Sequence, residues 1–90
     1  MRDLDELRAF LAVVRTTSVK AAAELLDVSR TTLRRRLEAL EQRVGASLFW
    51  NDAAGAHPTP AAQVLMHEGQ ALLDAYSALM GRVRQAARGE

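Results

Sequence analysis

Apolar residues return at steps of three and four along four separate stretches of this chain, and each stretch follows a residue suited to starting a helix. That period matches the 3.6-residue turn of an amphipathic α-helix and leaves little room for a sheet-based core. The first stretch carries Leu4, Leu7, Phe10, Leu11 and Val14 and runs to about Arg15. Asp3 followed by Glu6 has the spacing of a capping box, in which a short acidic side chain accepts from free backbone N–H groups. After Thr16 and Thr17, Ser18 is placed to cap a second, short helix through Lys20, Ala22, Ala23 and Leu26. Two inward alanines let a neighbouring helix approach closely. Asp27 and Val28 then form a turn too short to be a linker.

Ser29 is placed to cap a third helix over about 29–44. In it Leu33, Leu37, Leu40 and Val44 form the expected buried stripe, and Arg30, Thr31, Arg34, Arg35 and Glu38 occupy the other side. Gly45 marks its end. From Ser47 to Thr59 the helical period vanishes, Leu48 and Phe49 give a short apolar anchor, and Asn51 to Gly55 reads as a turn, so a two-stranded wing is expected. Thr59 before Pro60 starts a last helix reaching about Ala87, because proline at the first helical position loses no hydrogen bond.

In that helix Leu65, Gly69, Leu72, Tyr76, Leu79 and Val83 recur in alternating steps of four and three, the pattern of a coiled-coil seam. A second stripe, Met66, Leu73 and Met80, lies beside it. Together they exceed what one helix hides, so one side is expected on its own domain and the other on a partner chain in a homodimer. The heptad pattern allows parallel or antiparallel pairing. The expected fold is mainly α: a winged helix-turn-helix over residues 1–59, followed by a linker and dimerisation helix over residues 60–90. Ninety residues hold one modest core and no second large domain.

The formal net charge of +1 conceals an uneven layout. Lys and Arg are absent from Val44 to Gly81, whereas Arg30, Arg34, Arg35, Arg36 and Arg43 crowd the third helix against Glu38 and Glu41. A polyanion would feel that local field. Cysteine is absent, which excludes disulfides and thiolate metal sites. No apolar run approaches the roughly twenty residues needed to span a bilayer, and the charged start lacks the apolar core of a signal peptide. A cytoplasmic protein is expected. His57 and His67 stand ten apart without cysteine partners and make a poor metal pair. Asp3, Asp5 and Glu6 are explained by the helix dipole. No nucleophile-and-base pattern or phosphate-cradling glycine loop is present, so neither an enzyme nor a cofactor is expected.

Two short helices joined by a tight turn, the second rich in base-capable side chains, match the way a recognition helix enters the major groove of DNA. Arginine grips guanine O6 and N7 in bidentate fashion, and a threonine methyl meets the thymine methyl. The stretch SVKAAAELLDVSRTTLRRRLEALEQRVGASLF resembles the amino-terminal domain of LysR-type transcriptional regulators, through Ser18, Ala22, Ala23, Leu26, Val28, Ser29, the Leu40-Glu41 pair, Gly45, the Leu48-Phe49 pair and Thr59. The resemblance implies a linker helix paired antiparallel with its twin, so that two recognition helices address an interrupted palindrome of double-stranded DNA. It places phosphate contacts on Ser18 and Lys20 and base contacts on Arg30, Thr31, Arg34 and Arg35. Ser29 and Arg36 complete the expected phosphate set.

Three departures stand out. The family commonly has Gln, Pro and Ser where this chain has Arg30, Thr31 and Arg34, so its base preference does not transfer. The family's wing carries basic residues, whereas this one reads Trp50, Asn51, Asp52, Ala53 and Ala54. Either charge lost from the wing reappears on the helix, or the wing contacts another protein. Finally, family members continue into a ligand-sensing domain, so these residues are either a fragment or a stand-alone domain, with no small-molecule effector site expected within them. The alternative function is a protein-interaction module that modulates another regulator through the linker helix and wing.

Overall fold

A computed structural model describes residues 2–89. Met1 and Glu90, the outer ends of the two expected segments, lie outside the described residues. The chain forms α1 (Arg2–Thr16), α2 (Val19–Leu26), α3 (Arg30–Val44), β1 (Phe49–Asp52), β2 (Gly55–Pro58) and α4 (Pro60–Ala87). This is the mainly helical winged helix-turn-helix expected from the periodicity.

Local chemistry sets the helix ends. Ser18, Ser29 and Thr59 each hold an extended backbone and accept a hydrogen bond from the N–H three residues on, at Ala21, Thr32 and Ala62. At the end of α2, Asp27 adopts a left-handed conformation with φ 56°, the Asp27 N–H donates to Glu24 O, and the Val28 N–H donates to Ala23 O at 3.0 Å. These paired bonds satisfy carbonyls the helix would otherwise strand, and they turn the chain sharply into α3.

Two apolar clusters share α1. On one side Leu4, Leu7, Phe10 and Leu11 meet Leu40 of α3, Leu48, and Ala62 and Leu73 of α4. On the other, Ala9, Ala12 and Val13 meet Ala22 and Ala23 of α2, Leu33 of α3 and Ala56 of β2. Ala22 is wholly buried and Ala23 nearly so, which permits the close crossing of α1 and α2. Phe10, Val13, Leu33 and Leu48 are the largest fully buried side chains, each stabilising by about 1.5–3 kcal/mol relative to exposure.

Three sequence expectations change. Asp3 is not an N-cap, because α1 already begins at Arg2. Glu6 does not turn back to the helix start but is buried against Arg43, 37 residues away. Val44 does not finish the buried stripe of α3; it is 45% exposed, at the helix end where the chain turns away at Gly45.

The wing is an antiparallel hairpin with Phe49 opposite Pro58, Trp50 opposite His57, Asn51 opposite Ala56 and Asp52 opposite Gly55. Its base is fastened by Glu41 Oε2, which accepts from the Leu48 N–H at 2.8 Å, and by the Thr59 hydroxyl, which donates to Ser47 O at 2.7 Å. Its second strand rests on the turn between α1 and α2. There the Ala56 N–H donates to Thr17 O at 3.0 Å, and a Cβ placed on Gly55 would lie 2.6 Å from that same oxygen. Thr17 itself has φ 56°, strained for a β-branched residue. Among the described residues, no helix is long and apolar enough to cross a membrane.

Gly45 and Gly55 both have positive φ, but only Gly55 is also confined by backbone. In urea unfolding, Gly45→Ala is expected to cost about 1 kcal/mol, the conformational term alone. Gly55→Ala should cost distinctly more, because the wing must lift off the Thr17 carbonyl.

Candidate nucleic-acid interface

The first two turns of α3 carry a cluster of exposed polar side chains. Arg30, Thr31, Arg34 and Arg35 are all exposed, while Leu33 between them is fully buried, so the helix is held by one face and offers the other. At 3.6 residues per turn, residues four apart share a ridge. Thr31 and Arg35 therefore form an outward ridge, and Arg30 and Arg34 a second ridge turned toward α2 and the wing.

The second ridge borders a groove of about 400 Å³ that is also lined by Ser18, Lys20, Asn51 and Gly55. The structure thus brings together four expected contact residues, Ser18, Lys20, Arg30 and Arg34, from two helices, and adds Asn51 from the wing. Asn51 was legible only as the absence of a basic residue. Its place in the groove follows from the docking of β2 on Thr17. Among the described residues no carboxylate pairs with Lys20, Arg30, Arg34, Arg35 or Arg36.

The remaining expected phosphate residues stand apart. Ser29 is occupied as a cap: its Oγ accepts from the Thr32 N–H and its hydroxyl donates to Thr32 Oγ1, both at 3.0 Å. Arg36 is half-buried on the opposite flank of α3, beside Asp5 and Glu6. Arg43 leaves the basic cluster altogether. Its Nε and Nη2 each donate to one carboxylate oxygen of Glu6 at 3.1 Å, and Asp3 lies 3.3 Å from Nη2. The Glu6 hydrogen bonds, followed by the charge of Asp3, raise the Arg43 pKa above its ordinary value.

On the outer face of the wing, Trp50 and His57 stack with ring centroids 4.3 Å apart, and His57 Nε2 lies 2.8 Å from Asp52 Oδ1. The hydrogen bond from His57, together with the Ala54 N–H, holds the Asp52 carboxyl below its ordinary pKa. Trp50 remains 54% exposed. His67 is exposed on α4 far along the sequence, and no group of three His, Asp or Glu side chains suited to a metal gathers among the described residues.

The expected seam of α4 divides between two faces. Gly69 is buried under Leu7 and Leu11, with room for no Cβ closer than 3.1 Å to Leu7, and Leu65 and Tyr76 pack beside it on the α1 cluster together with Leu73. Leu72, Leu79 and Val83 are instead 57%, 45% and 53% exposed, and Val64 joins them.

Residues 4–63 match the model of the bacterial regulatory helix-turn-helix proteins of the lysR family. Over 85 residues the chain is 35% identical to the HTH-type transcriptional regulator TfdS of Cupriavidus pinatubonensis (strain JMP 134 / LMG 1197), covering 94% of this chain and 29% of that regulator. The crystal structure of CbnR, a LysR family transcriptional regulator, superposes with a TM-score of 0.89 at 30% identity, over 96% of this chain and 30% of that one. The BenM DNA-binding domain in its complex with catB site 1 DNA superposes with a TM-score of 0.88 at 26% identity, over 97% of this chain and 98% of that one. The chain therefore spans under a third of the length of TfdS and of CbnR.

The geometry separates a structural arginine from free ones. Arg43→Ala, which strands the buried Glu6 carboxylate, is expected to lower the urea midpoint. Arg34→Ala and Arg35→Ala, which remove no such partner, should leave the midpoint unchanged.

Proposed function

The chain belongs to the lysR family of bacterial regulatory helix-turn-helix proteins, and from that membership we propose that it binds double-stranded DNA sequence-selectively, as a dimer, to regulate transcription. The observation that carries the reading is the convergence of Lys20, Arg30 and Arg34, all without carboxylate partners among the described residues, beside the exposed ridge of Thr31 and Arg35. Helix α3, capped by Ser29, enters the major groove with its first two turns, where side chains reach base edges. Superposition on a DNA-binding domain solved with DNA supports the DNA-binding reading.

In this reading residues 1–59 form the DNA-binding part, and residues 60–90 form the linker helix that pairs with a second copy. The pairing surface is Leu72, Leu79 and Val83, with Val64. Leu65 and Tyr76 border it, and Gly69 serves the intramolecular contact instead. Antiparallel pairing sets the two copies of α3 on an interrupted palindrome. The protein acts as a binding module, not as an enzyme.

In a salt-titrated binding assay on a selected duplex and on random-sequence DNA, the chain is expected to show a steep negative slope of log K against log salt and a clear preference for the selected duplex. The Arg34→Ala, Arg35→Ala double variant should lose most of that affinity. Weak, non-selective binding indifferent to the double substitution would overturn the reading and direct attention to protein partners.

For the pairing surface, Leu72→Glu with Leu79→Glu is expected to convert the chain to a monomer in sedimentation equilibrium while preserving its helical circular dichroism. Retention of the dimer would exclude this face.

A further inference from the structure

Four polar side chains from three elements look into one groove: Lys20 at the start of α2, Arg30 and Arg34 on one ridge of α3, and Asn51 on β1. Their positions are fixed by neighbours that do not depend on any ligand. Lys20 follows the cap formed by Ser18 on the Ala21 N–H. Arg30 and Arg34 are oriented by the burial of Leu33. Asn51 is held by its pairing with Ala56, whose N–H is bonded to Thr17. Three positive charges without a carboxylate in ion-pair contact among the described residues form a local field that attracts an anionic oxygen group.

The wing adds no Lys or Arg of its own, since both are absent from Val44 to Gly81, and its one carboxylate, Asp52, is hydrogen-bonded to His57. It contributes instead the amide of Asn51, a neutral group with two donors. A phosphodiester, with two unesterified oxygens and one negative charge, fits that donor set: guanidinium forks and an ammonium for the charge, an amide N–H for orientation. A base edge fits it poorly, because the groove is walled by α2 and the wing and lies beside the neighbouring exposed ridge of α3. That ridge carries Thr31 and Arg35.

We infer that Arg30 and Arg34 grip one backbone phosphate of DNA in this groove, with Lys20 and Asn51, and that base discrimination falls to Thr31 and Arg35. The inference rests on the DNA-binding reading above and divides its arginines by role. Arg34 supplies from α3 the positive charge that the wing lacks, and Asn51 orients the same phosphate from the other wall.

The test is a salt-titrated binding series on a duplex selected from a random pool, its single-base variants, and duplexes with one neutral methylphosphonate. Arg34→Ala is expected to weaken binding to the selected duplex and to its single-base variants by the same factor and to reduce the salt slope by about 1. It should also reduce the sensitivity to the methylphosphonate at one position. Arg34→Lys should retain the slope and bind within a few-fold of the unsubstituted chain, because a phosphate accepts an ammonium where a bidentate guanine contact does not. Asn51→Arg in the Arg34→Ala background should restore the slope. Arg35→Ala should relax the preference at one base pair.

If Arg34→Ala or Arg34→Lys relaxes the preference at one base pair with the slope unchanged, the division of roles is overturned while the DNA-binding reading stands. If the unsubstituted chain shows neither selectivity nor salt dependence, both fall.

Discussion

Burial of α1 on almost every side is the constraint from which the rest of the structure follows. Its fifteen residues supply one wall to each of the two apolar clusters, so α2, α3, the wing and α4 all take their positions from it. Phe10 and Val13, both fully buried, show how complete that enclosure is. Phe10 also meets Phe49 with ring centroids 5.3 Å apart, which ties the first wing strand to the same helix. Close-packed interiors transmit displacement rather than absorb it. A shift of α1 would therefore move the second and third helices and the wing as a set, and the groove shared by Lys20, Arg34 and Asn51 would open or close with them.

What the residues revealed in advance was whatever depends on near neighbours. Ser18, Ser29 and Thr59 were readable as caps because the N–H they accept from lies three residues on. The hairpin was readable from the loss of helical period between Ser47 and Thr59. What escaped was decided across long separations. Asp3 and Glu6 have capping-box spacing, yet both turn to Arg43, a partner that no local pattern identifies. The stack of Trp50 on His57 needs the hairpin register, which a two-residue turn of Ala53 and Ala54 does not announce. Val44 continues the leucine period but lies past the last packed turn of α3.

Electrostatics here is a matter of which charges are already answered. Arg43 belongs by sequence to the basic run of α3, but the structure assigns it to Glu6 and Asp3, where it keeps a carboxylate that is 5% exposed from being buried alone. Removing one partner of such a pair is costly because the other remains desolvated. The arginines left over lie in the first two turns, next to the start of α2. A chain of net charge +1 can thus present a concentrated positive surface, since several of its acidic groups are paired elsewhere: Asp3 and Glu6 with Arg43, and Asp5 with Arg8.

Helix α4 links that surface to whatever the chain pairs with. Its 28 residues extend roughly 42 Å at about 1.5 Å per residue, against lesser molecular dimensions of 25 and 20 Å, so its second half projects beyond the packed body. The first half is fixed to α1 at Gly69, where the helices approach until a Cβ would stand 3.1 Å from Leu7. On the dimeric reading, the outward residues Leu72, Leu79 and Val83 fix one helix against its twin, and Gly69 fixes each helix against its own α1. The separation of the two recognition helices then depends on rigid contacts in series, with no flexible loop between them. A bulkier residue at position 69 would tilt α4 on α1 and change the spacing of the two half-sites without touching any residue that reads DNA.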